Sequence, residues 1–131
     1  MRAKWLISLL LLLAACAPGP KKVPASEPIF YDGSLDNVYA AVVQAISTSP
    51  GIDNSNGWII TQSDTSGGFI RAETTVTESG FFGSSEKLES VSVIVSNNGN
   101  NRTQVVIQLS EGAAGLAQRI REQLDQKFLR L

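Results

Sequence analysis

The sequence holds one cysteine, Cys16, and no histidine among its 131 residues, and these two facts bound its chemistry. Without histidine the commonest general base near neutral pH is missing, as are the usual ligand of a transition metal and any Ser-His-Asp arrangement. Carboxylates remain, with Asp53 and Asp64 in loops and Glu73 and Glu78 around a hairpin. Their spacing matches no oxygen-ligand loop, which would place an acidic or amide oxygen at nearly every second residue and end in glutamate, so they read as solvated surface charge. Gly67-Gly68 leads into a strand, not into the helix N-terminus that a phosphate loop requires. The expectation is a protein that is no enzyme and takes no metal or cofactor. A second group stands out in Ser79-Gly80-Phe81-Phe82-Gly83-Ser84-Ser85. Fully burying a phenylalanine contributes about 1.5–3 kcal/mol, and the bracketing glycines predict a fold-back in which both rings cap the open end of a sheet. The alternative is that Phe81 and Phe82 contact a protein partner or a membrane surface.

The position of Cys16 needs its own reason. Arg2 and Lys4 form a short positive head, Leu6 to Leu13 form an apolar run interrupted only by Ser8, and Ala14 and Ala15 are small. That is the layout of a secretory signal peptide. The run is far shorter than the about twenty apolar residues of a spanning helix, because Cys16 and Pro18-Gly19-Pro20 end it. Leu13-Ala14-Ala15-Cys16 resembles the lipobox of bacterial lipoproteins. The resemblance implies that residues 1–15 are removed and that Cys16 carries a diacylglyceryl thioether with an acylated amino terminus. A lone cysteine allows no internal disulfide, so the exported part must be held by its core.

Ala17 to Pro28, APGPKKVPASEP, holds four of the five prolines. It reads as an extended tether of roughly 35 Å at about 3.1 Å per residue. Formal charge is −1 for the whole chain, and loss of Arg2 and Lys4 with the leader makes it −3. A mildly acidic body argues against nucleic acid, which is usually bound through a concentrated basic patch. Lys21-Lys22 is the only basic pair of the tether; beside anionic head groups it would add about 1 kcal/mol per charge, and otherwise it is solvated linker charge.

Residues 29–131 must position whatever contact surface exists, and they amount to one domain. Leu35, Val38, Tyr39, Val42, Ala45 and Ile46 recur at helical spacing, with Ser34 as N-cap and Pro50-Gly51 as stop. Ala113, Leu116, Ala117, Ile120, Leu124, Phe128 and Leu131 form the apolar face of a second helix running to the end of the sequence. Gly112 and Gly115 either let it approach the sheet closely or make a loose start. Between the helices the period is two, with Ile70, Ala72, Thr74 and Val76, then Val91, Val93 and Val95, then Val105, Ile107 and Leu109 on one face. Trp58 to Ser63 supplies a first strand, and Asp64 to Gly68 and Asn97 to Asn101 are turns by composition. Ile29 to Asp32 adds a short strand. The fold class is α+β: a two-layer domain whose three- to four-stranded antiparallel meander carries one helix before and one after it on one face.

The stretches YDGSLDNVYAAVVQAI, GWIITQSDTSGGFIRAE and LAQRIREQL together resemble the small α-β-β-β-α lipoproteins of bacterial envelopes, in which a glycine, here Gly68, precedes an apolar, a variable and a small residue, here Ile70, Arg71 and Ala72. More distantly the layout is similar to the helix-grip domains of the accessory lipoprotein called the C component of the outer-membrane barrel-assembly machine. The resemblance spans about a hundred residues and carries no catalytic positions. It implies a non-catalytic binding or scaffold module for other envelope proteins, attached to the membrane through lipid on Cys16. Ala17 stands where resembling enterobacterial proteins use an aspartate for inner-membrane retention, which implies the periplasmic face of the outer membrane. The second reading is a carrier of a small apolar ligand between helices and sheet, disfavoured because those faces hold few polar groups to orient one.

Overall fold

The computed structural model describes residues 27–52 and 57–131. The leader, Cys16, most of the tether and Asp53 lie outside the described residues. Ser34 caps the first helix, α1 (Leu35–Ser47), by accepting from the Asn37 amide at 3.3 Å. Its buried face is Val38, Tyr39, Ala41, Val42, Ala45 and Ile46, the predicted stripe with Ala41 added and Leu35 left half-buried at its edge. A short strand, β1 (Ile29–Asp32), precedes it, and four strands follow: β2 (Ile59–Asp64), β3 (Phe69–Gly80), β4 (Gly83–Asn97) and β5 (Arg102–Leu109). A single 3₁₀ turn at Glu111–Ala113 leads into the second helix, α2 (Ala114–Lys127), and a two-residue strand, β6 (Leu129–Arg130), follows it.

The fold is α+β, with an open antiparallel sheet of six strands ordered β2-β3-β4-β5-β1-β6. The strands between the helices form a four-stranded meander. The expected three- to four-stranded sheet is too small because β1 and β6 extend it along the free edge of β5, with Tyr31 opposite both Thr103 and Arg130. The expected second helix is too long for the same reason. At Phe128 the backbone turns extended, at φ −132° and ψ 146°, and Leu131 is left exposed, its amide donating to the Phe30 carbonyl at 2.9 Å.

Alternation along the strands sends Ile70, Ala72, Val91, Val93, Val95, Val105 and Ile107 to one face, where they pack with α1 and with Leu116, Ala117, Ile120 and Leu124 of α2. Among the described residues no helix covers the other face of the sheet. The β4–β5 turn places positive φ at Gly99, Asn100 and Asn101, the residues that accept it at least cost. Gly68 is a different case: with φ +67° it lies against β4, and its carbonyl accepts from the Val95 amide at 2.7 Å.

Candidate functional site

The longest strand pair makes the most exposed feature of the domain. β3 and β4 stay in register from Phe69 opposite Ile94 to Gly80 opposite Gly83. Their outer neighbours stop sooner, β2 at Glu73 and β5 at Val91. From Thr74 opposite Glu89 outward the hairpin is therefore a two-stranded arm, and residues 77–88 are all exposed. Positive φ at the turn falls on Gly83, at +124°. Phe81 and Phe82 sit at the tip, 98 % and 99 % exposed, edge to face with centroids 5.3 Å apart. The fold-back expected from the glycines does not occur. The rings cannot cap the sheet because the register of β3 with β4 carries them several residues past its end.

The root of the arm is held from both sides. The Thr74 hydroxyl donates to the Gly57 carbonyl at 2.9 Å, on the β2 side. Opposite it Glu89, 3 % exposed, accepts from the Ser110 hydroxyl and from the Gly112 amide at 3.0 Å, on the β5 side. Lys87 completes the group at 3.4 Å. The Ser110 hydrogen bond chiefly, with those from Gly112 and Lys87, holds the Glu89 carboxyl below the usual carboxylate range against the opposing effect of burial. Gly112 permits this contact, since a Cβ there would lie 2.7 Å from the Glu89 carboxyl carbon. Gly115 meets nothing within 4 Å, so only the first of the two glycines serves close approach. Sequence reading overlooked Glu89, although it shares the period-two phase of Val91, Val93 and Val95.

The remaining carboxylates are dispersed. Asp64 ends β2 and accepts from the Ser66 hydroxyl at 2.8 Å and the Gly67 amide at 3.1 Å, bonds that lower its pKa, the first most. Glu73 pairs with Arg71 at 2.9 Å, and Glu78 stands on the exposed arm. Among the described residues no three Asp, Glu, Cys or His side chains are grouped to hold a metal. At the far edge the Tyr31 hydroxyl donates to Asp125 at 2.9 Å, and Arg130 grips the same carboxylate at 2.9 and 3.1 Å. Burial pushes the Tyr31 phenol up to about 12, Arg130 opposing and Asp125 adding to the rise. This network ties β6 to β1.

The helix-free face carries a row of apolar side chains across three strands, Phe69 opposite Ile94 and Ile94 opposite Val106. Ile94 is 37 % exposed, and Ile59 and Leu88, more exposed still, line a shallow cleft of about 190 Å³ with Glu73 and Thr75. Among the described residues no helix is long and apolar enough to cross a membrane.

No protein-family model matches the sequence, and no curated protein does. Among solved structures, the crystal structure of TTHA0849 from Thermus thermophilus is similar over 79 % of this chain and 88 % of that one, at 12 % identity and a TM-score of 0.32.

Proposed function

We propose that this chain is a lipid-anchored, non-catalytic binding or scaffold module of the bacterial cell envelope, held by Cys16 on the periplasmic face of the outer membrane and presenting its folded domain to other envelope proteins. The observation that carries the reading is the apolar surface on the sheet face that no described helix covers, where Ile59, Leu88 and Ile94 are exposed and Phe69 and Val106 flank Ile94 half-buried. Exposed apolar residues in contiguous groups mark contact surfaces. The small-lipoprotein resemblance points the same way. A carrier of an apolar ligand would need room between helices and sheet, where Tyr31, Val42, Ile46, Ile107, Ile120 and Leu124 are all fully buried side chains in one cluster.

The test is photo-crosslinking in the living cell, with a photoreactive phenylalanine analogue in place of Ile94 in the full chain. Discrete adducts with one or a few envelope proteins are expected, and the mass of the N-terminal fragment from the same cells should show acyl chains on Cys16. Absence of adducts, or an unmodified Cys16, would count against the reading.

A further inference from the structure

We infer that the tip of the β3–β4 arm, Phe81-Phe82, is a second membrane contact that dips into the same lipid surface that holds Cys16; this deepens the anchored reading above and rests on it. The first ground is direction. β1 and β4 each run antiparallel to β5, so they run the same way, and β4 runs away from the tip. The chain therefore enters β1 from the end of the sheet toward which the arm projects.

Length is the second ground. Ile29 and Val95 are both opposite Val105 and so stand level in the sheet. Phe82 lies thirteen positions before Val95, and Cys16 lies thirteen before Ile29. At about 3.3 Å per strand residue the tip stands roughly 43 Å beyond that level, while thirteen residues of tether span at most about 43–47 Å when fully stretched. With the arm pointing at the membrane, even a fully stretched tether leaves the tip no more than about 4 Å short of the level of Cys16, and any slack in it brings the tip to the surface.

Chemistry is the third. Ser79 to Ser85 carries no charge, and the nearest charged side chains are Glu78 and Glu86. Three residues on each side of the turn make an uncharged segment about 10 Å tall at about 3.3 Å per residue, which matches the 5–10 Å depth at which apolar residues seat between head groups and acyl chains. Two glutamates at its base and no basic ring make the contact apolar, not electrostatic, so salt should not weaken it.

The experiment uses the full chain, processed and lipidated in a bacterial host, as Phe81→Trp and Phe82→Trp variants. Each is reconstituted into vesicles of phosphatidylcholine with or without bromine on the acyl chains, and the parent, whose Trp58 is buried, serves as reference. Flotation with the vesicles, together with loss of most of the added tryptophan emission in brominated lipid at low and high salt, is the expected result. Flotation without that loss overturns the tip contact and leaves the anchor standing. If the added emission is unchanged in pure lipid but shifts to the blue in native envelope membranes, the tip meets a protein and the inference is wrong. Failure to float overturns the anchor and the inference together.

Discussion

Gly68→Ala should be among the most damaging single changes in the domain, although it adds one methyl group. Gly68 combines a positive φ of +67° with a Cβ position only 1.8 Å from the Val95 carbonyl oxygen and 2.9 Å from its carbon. An alanine in that conformation costs about 1–2 kcal/mol. The obstacle is backbone, so the strands themselves must move, at about 1–3 kcal/mol for overpacking. Such movement also breaks the 2.7 Å bond from the Val95 amide to the Gly68 carbonyl, a net loss of about 0.5–1.5 kcal/mol. Together these reach about 3–6 kcal/mol, a large part of the 5–15 kcal/mol that typically holds a domain. Since 1 kcal/mol moves Tm by about 4–8 °C at this size, the thermal unfolding midpoint of the full chain should fall by at least about 12 °C. Gly99→Ala is the control: its φ is +82°, yet nothing lies within 4 Å of the added Cβ, so only the conformational cost applies. Equal melting temperatures for the two variants, followed by circular dichroism, would refute the close-approach argument.

Replacing Phe81 and Phe82 together by serine should remove only their mutual edge-to-face contact, on the order of 1 kcal/mol, so melting should move by no more than about 4–8 °C; a drop as large as that of Gly68→Ala would mean that the rings support the fold. Glu89 predicts an acid limb. Its folded pKa is depressed, so its contribution is fully present above the unfolded glutamate value of about 4.3 and is lost as pH falls through the lower folded value. Glu89→Gln should be less stable than the parent at pH 7 and lose less than the parent between about pH 4.3 and pH 3, as read from urea unfolding; parallel acid limbs would show that the carboxylate contributes nothing through its charge.

What the sequence revealed and what it hid divide along local and non-local lines. The stripe of α1, the alternation of β3 to β5 and the Asn-rich turn are each written within a short local stretch, and each is found. Phe128 continues the helical spacing of Ile120 and Leu124, so nothing local announces that α2 stops at Lys127. The chain leaves the helix because Phe128 meets Tyr31 edge-on at 6.4 Å and the residues after it pair with β1, a strand from the far end of the domain's sequence. Glycines on either side of Phe81 and Phe82 likewise describe a turn without saying where the sheet ends. That depends on how far β2 and β5 accompany their neighbours.

An isolated two-stranded hairpin is marginal in water, so an arm that points in a fixed direction must take its rigidity from its root. Thr74 and Glu89 are the first cross-strand pair beyond the reach of both neighbouring strands, and both side chains are buried. Each is spent on a hydrogen bond to backbone outside the arm, Thr74 to Gly57 and Glu89 to Gly112. A polar pair at this position is less favourable than an apolar one for burial alone. It can do what an apolar pair cannot, because directional bonds fix the angle at which the ribbon leaves the sheet. In the membrane-contact inference drawn above, the buried carboxylate and the exposed phenylalanines belong to one device: the first sets where the arm points, and the second is what it presents there.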